Sequence, residues 1–180
     1  MKAVLDACVL VPPVLREILL GVARRGLFQP CWSDRILEEW ARASARFGPR
    51  SEAEARGRIA LLRAEFPRAG LPAAPGVEAR LHLPDPDDAH VLAASIAGSA
   101  DAIITLNARD FPRHILAEDK IARRDPDGFL WELWSGDREA VEAAVAEVVA
   151  EAGRRDGVPA SPKRLLRKAG LNRLARAMAL

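Results

Sequence analysis

The feature that most constrains this chain is an alternation: short apolar runs of strand character are followed by segments in which apolar residues recur every three or four positions. Lys2–Asp6 reads as a first strand, and a helix follows from about Pro12 to Gly26, with proline in its first turn and glycine at its stop. Leu27–Ser33 is a second strand, leading to a helix capped by Ser33 or Asp34 that runs to about Phe47. Ser51, with Glu54 three residues on, predicts a capping box for a helix to about Phe66. A loop rich in proline and glycine comes next, then a helix over about Asp87–Gly98, a strand over Ala102–Leu106 and an edge strand within Lys120–Arg124. Such an alternation predicts an α/β fold around a central, mainly parallel sheet flanked by helices. Ligands of such sheets sit beyond the carboxyl ends of the strands, so the residues at those ends are the ones to weigh.

From Asp125 the character changes. Two helices, the second rich in Ala, Val and Glu, precede a break over Gly153–Pro159 and a last amphipathic helix opened by Ser161-Pro162. The expected organisation is one α/β domain over residues 1–124 and a helical extension over 125–180. Net charge is only +2, but the final stretch from Gly153 is basic. Cys8 and Cys31 are the only cysteines, too few for a disulfide framework or a zinc site. Asp6 and Pro12-Pro13 interrupt the apolar N-terminus, no cleavage pattern follows, and no run is long enough to span a bilayer, so a cytoplasmic protein without a membrane partner is expected.

The acids divide by position. Asp6 ends the first strand among apolar neighbours, where a lone carboxylate carries a heavy desolvation cost unless it is paired. Asp85, followed by Pro86, fits a helix N-cap, and Asp87 favours the positive end of the helix dipole. Asp88 shares its helical face with Val91, Leu92 and Ser95 and therefore points toward the core. Glu38 and Glu39 are about 100° apart on their helix. With Ile36 and Trp40 inside, Glu39 takes the inward edge and Glu38 the solvated one. Thr105, Asn107 and Asp110 stand at or just past a strand end, where local turn capping competes with a functional role.

Two carboxylates about 4 Å apart repel by about 4 kcal/mol at an effective dielectric of about 20, and a divalent cation reverses that sign. If Asp6 and Asp88 converge, a cation explains the pair. Oxygen ligands, with His82, His90 and His114 scattered, favour Mg2+ or Mn2+ over Zn2+. Such a site suits hydrolysis at a phosphoryl group.

Taken together, AVLDACVL, SDRILEEW, DDAHVLAAS and IITLNARDFP resemble, in order, the four motif regions of PIN-domain ribonucleases, particularly the VapC-type toxins of bacterial toxin–antitoxin pairs. Each motif is weak alone and the ordered set is specific. The resemblance spans residues 1 to about 124, and the segment from Asp125 is similar to the helical extension of a larger subgroup. It implies a PIN-like three-layer fold, an acidic Mg2+ pocket, hydrolysis of an RNA phosphodiester, a cognate antitoxin and a homodimer. By position, Asp6, Glu39, Asp88 and Asp110 match the family's acids, with Asp6 and Asp88 as metal ligands. Thr105, Asn107 and Arg109 stand beside them as candidate substrate contacts. Arg42, Arg46 and Arg113 could also meet phosphate, or equally be solvated helix faces. Family members commonly carry Thr-Asn after the first aspartate, and here Ala7-Cys8 replaces the polar groups that would orient Asp6.

Other chemistries fit less well. A phosphatase forming an aspartyl-phosphate wants an acid two residues after Asp6, where Cys8 stands, and a receiver domain wants a late strand-end lysine, absent after Asn107. A non-catalytic binding module on the same fold is the remaining alternative.

Overall fold

In the computed structural model, which describes residues 1–179, the chain forms two compact units. The first comprises Met1–Val11 and Gln29–Arg124. Its strands are β1 (Lys2–Leu5), β2 (Gln29–Ser33), β3 (Gly70–Leu71), β4 (Ala102–Ile104) and β5 (Ala122–Arg124). They form one sheet in the order β3-β2-β1-β4-β5, with every pairing parallel. The α/β class with a parallel sheet flanked by helices is therefore the fold, PIN-like in its architecture. Val4 pairs with Cys31 on one side and Ile103 on the other. Consecutive residues of a strand face opposite sides, and Ala3, Val4, Leu5, Ile103 and Ile104 are all fully buried, so both faces of the sheet centre are covered.

The helices of this unit are α1 (Ala7–Leu10), then, after helix α2 of the second unit, α3 (Asp34–Ser44), α4 (Ser51–Glu65), α5 (Pro75–Glu78), α6 (Ala89–Ala97) and α7 (Arg113–Glu118). Ser33 Oγ accepts from Ile36 N and caps α3. The capping box expected at Ser51 does not form. Ser51 N bonds to Gly48 O, Arg50 is already helical, and Ser51 becomes the first residue of α4 with no side chain capping it. Strand β3, inside the expected loop, is only two residues long.

The second unit comprises Pro12–Phe28 and the residues from Asp125 onward, all helical: α2 (Pro13–Arg24), α8 (Pro126–Gly136), α9 (Arg138–Asp156), α10 (Pro162–Lys168) and α11 (Asn172–Ala177). Helix α2 thus groups with the C-terminal helices. Asp125 and Asp137 accept from backbone N–H groups at the starts of α8 and α9, and Asp137 is the single residue between the two helices. Phe28 meets Phe129 edge to face at 5.1 Å, and Arg25 pairs with Glu147 at 2.6 Å. The single basic helix expected after Ser161 is two, because Gly170 turns left-handed (φ 80) and Leu171 N bonds back to Leu166 O. Among the described residues no helix is long and apolar enough to cross a membrane.

Candidate functional site

The order β3-β2-β1-β4-β5 sends the chain from β1 to one side and later to the other, which opens a crevice between the carboxyl ends of β1 and β4. Leu5 pairs with Ile104, so the next residues, Asp6 and Thr105, face each other there. Asp6 N donates to Ile104 O at 3.2 Å and extends the ladder by one bond. Asp6 is 5% exposed and Thr105 2%, and the buried carboxylate needs partners.

It has two. Thr105 Oγ1 donates to Asp6 Oδ2 at 2.7 Å, and Cys8 Sγ donates to the same oxygen at 3.0 Å. Burial and the Asp6 charge push the Cys8 thiol up to about 12, which keeps it protonated as a donor. The expectation that Ala7-Cys8 leaves Asp6 without orienting groups is thus corrected: Cys8 supplies one from the second position of the pair. Leu106 N in turn donates to Cys8 Sγ at 3.2 Å, and Asn107 N donates to Thr105 Oγ1 at 2.9 Å. Both side-chain bonds fall on Asp6 Oδ2, so Oδ1 is left for a ligand.

Asp88 ends the 3-10 turn Pro86–Asp88 just before α6. Asn107 Nδ2 donates to its Oδ2 at 3.0 Å. Burial first, then the negative charges of Asp6, Asp85, Asp110 and Glu39, push its carboxyl up to about 6. These four acids are near enough to act on Asp88 through their charge. Ligand oxygens of Asp85, Asp88 and Asp110 lie within 4.8 Å of one another, a spacing that can hold one metal ion. Asp85 also keeps its capping bond, with Oδ1 accepting from Asp87 N at 3.0 Å. Sequence reasoning assigned it that bond alone, because one bond accounted for the residue.

Glu38 and Glu39 separate. Arg56 and Arg42 bind Glu38, each at 2.8 Å, and hold its carboxyl down at about 2, in a network away from the acids around Asp88. Glu39 Oε1 lies 3.3 Å from Arg35 Nε and 2.8 Å from His90 Nε2. The latter distance suits an ion pair, but its direction does not make a hydrogen bond, and both ring nitrogens of His90 are buried without one. His90 is a site neighbour that sequence reasoning set aside for want of zinc spacing.

Asp110 lies on a turn that Arg123 holds by donating to Ala108 O and Phe111 O. This role for Arg123 carried no sequence signal. Arg109 and Arg113 are exposed and make no ion pair among the described residues, whereas Arg42 is tied to Glu38 and Arg46 lies over the Phe47 ring at 4.8 Å.

The donor set around Asp88 is oxygen only, and burial, with the surrounding negative charge added to it, holds the Asp88 carboxyl up. These residues fit a hard divalent cation such as Mg2+ or Mn2+. A family model described as PIN domain matches residues 2–109. No curated protein matches the chain. No solved structure does either.

Proposed function

Because the chain belongs to the PIN-domain family and family members are generally nucleases, we propose that it is a Mg2+-dependent endoribonuclease, with Mn2+ an alternative ion, that hydrolyses RNA phosphodiester bonds as the toxin of a toxin–antitoxin pair. The observation that carries the reading is the group Asp85, Asp88 and Asp110, whose ligand oxygens lie within 4.8 Å of one another, with Asp6 and Glu39 near enough for their charges to act on Asp88. Asp6 and Asp88 are the proposed ligands; Asp88 belongs to the close group with Asp85 and Asp110, and Asp6 stands outside that group. A divalent ion held there offsets charge on a phosphoryl group and makes a nearby water more acidic.

The chain's own residues do the rest. Thr105 and Cys8 fix Asp6 through Oδ2, and Asn107 fixes Asp88 through Oδ2. Each acid therefore presents its other oxygen in a set direction. Glu39 and Asp110 close the pocket, and a carboxylate oxygen of this pair takes the proton as water attacks phosphorus in line; the bond to the leaving ribose oxygen breaks, and that oxygen takes up a proton from solvent to leave as a hydroxyl. Arg109, exposed on the Asn107–Asp110 turn, supplies a phosphate contact.

The test is cleavage of RNA with Mg2+ present or chelated, comparing the wild type with Asp6→Ala and Asp88→Ala. Metal-independent cleavage, or full activity in both variants, would sink the mechanism and leave a PIN-fold binding module. The toxin role predicts growth arrest on expression, relieved by the product of a neighbouring gene. A homodimer predicts twice the chain mass in light scattering.

A further inference from the structure

The helices α10 and α11 carry charge of one sign. From Gly157 to Ala179 there are Lys163, Arg164, Arg167, Lys168, Arg173 and Arg176, and no Asp or Glu. In α10 the four cations span an arc of about 140°. All four are exposed, while Leu166 on the opposite side is fully buried. Arg173 and Arg176 are one turn apart on α11 and exposed, and Leu174 and Ala175 are buried.

A basic face of this kind is often answered by acids of the same unit. Here most acids of the neighbouring α9 are engaged elsewhere: Glu142 accepts from Trp134, Glu147 pairs with Arg25, Glu151 with Arg154 and Asp156 with Arg155. Asp127 accepts from the backbone N–H groups of Arg173 and Leu174 at 2.7 and 2.9 Å and so caps α11. Among the described residues none of the six cations makes an ion pair. Arg173 lies 3.5 Å over the Trp131 ring, an arrangement that holds the guanidinium in place while its edge donors stay free.

The composition of the face separates two kinds of polyanion. Protein interfaces favour Arg over Lys, but they are anchored by buried aromatic or aliphatic side chains. Between Ser161 and Arg176 no large apolar side chain is exposed, and the one exposed in the segment from Gly157, Val158, stands ahead of α10. A phosphate backbone needs only the cations, which displace its condensed counterions.

We propose that α10 and α11 form a docking face for the phosphate backbone of RNA, bound without regard to base sequence. The inference rests on the nuclease reading only for the identity of the nucleic acid, and it is tested by binding without catalysis. Full-length protein is titrated with labelled single-stranded RNA of mixed sequence, with EDTA present, over a range of salt. The comparison is with the variant K163Q/R164Q/R167Q/K168Q. Its plot of log affinity against log salt should be shallower by about 0.7 for each phosphate that the variant no longer neutralises, up to about 3 in all. RNAs of unrelated sequence should show the same change.

Thermal unfolding of the variant reports its fold. If it is unfolded, the single changes Lys163→Gln and Arg167→Gln, both at exposed positions, carry the test, with a slope shallower by about 0.7 expected for each. An unchanged salt slope in folded variants would overturn the proposal, as would polyglutamate that binds wild type more tightly than RNA of equal charge, the mark of an acidic protein partner. A slope that falls in the variant while wild type cleaves no RNA in Mg2+ would support the docking face and defeat the nuclease reading. Cleavage by wild type with no slope change would do the reverse.

Discussion

Thr105 Oγ1 donates a 2.7 Å hydrogen bond to Asp6 Oδ2 across 99 residues of sequence, at the point where the parallel ladder of β1 and β4 ends. A buried carboxylate oriented by a buried hydroxyl is sensitive to loss of the hydroxyl alone, since hydrogen bonds to charged groups contribute about 1.5–3 kcal/mol. Thr105→Val keeps the shape and removes the donor. We expect metal affinity, read by calorimetry, to fall by about 10-fold or more, as for other groups that orient metal ligands. Thr105→Ser should restore most of it. Unchanged Mg2+ affinity in Thr105→Val would show that this bond does not position Asp6 for a ligand.

Cys8 should be chemically quiet. Burial, and then the Asp6 charge, push its thiol up to about 12, and burial pushes Cys31 up to about 11. At about pH 8 almost no thiolate exists at either position, so folded protein should react slowly with iodoacetamide and both sites should label once unfolded. Mass spectrometry reads the result directly. Fast labelling of Cys8 in the folded protein would contradict its place as a neutral donor to Asp6.

Asp88 sets a pH dependence with a definite sign. Its folded carboxyl titrates at about 6, against an ordinary value of 3.8. The folded state thus holds a proton that the unfolded state has lost. In metal-free protein, this group's contribution to stability is full below the ordinary value and disappears as pH rises through about 6. A divalent ion needs the carboxylate and competes with that proton. Calorimetric scans should therefore show Mg2+ raising the melting temperature near neutral pH and much less at about pH 5. Asp88→Asn should abolish the difference. An equal Mg2+ effect at both pH values would count against Asp88 as a ligand.

The parts of this site that were legible in sequence are those where a local rule fails. An acid ending an apolar strand, as Asp6 does, has no cheap local explanation, and Asp88, just ahead of α6, continues the spacing of that helix's apolar residues. Asp85 was the opposite case: helix capping explained it so well that its second position, within 4.8 Å of Asp88 and Asp110, left no trace. Cys8 and Arg123 were hidden for another reason. Their roles arise from pairing between β1 and β4 and between β4 and β5, and no spacing along the chain encodes those approaches. The sheet class followed from periodicity, but a two-residue strand such as β3 lies below what any pattern can resolve. Periodicity also found α2 without revealing that its partners lie more than a hundred residues away.

That partnership makes the last prediction. Gly21 sits where α2 meets α9, and a Cβ built on it would stand 3.0 Å from Ala144 Cβ, tighter than ordinary packing. Its backbone is plain helix, so the glycine serves close approach and not a turn. Gly21→Ala places one methyl against a methyl whose helix can yield by a few tenths of an ångström, and it gains helix propensity in return, so a small effect of either sign is expected. Gly21→Val adds branched bulk in a fully buried row with Ile18 and Val22, and overpacking of this kind costs about 1–3 kcal/mol. Urea unfolding should show the difference between the two variants. A valine variant as stable as the alanine one would mean that α2 and α9 are not held at this distance.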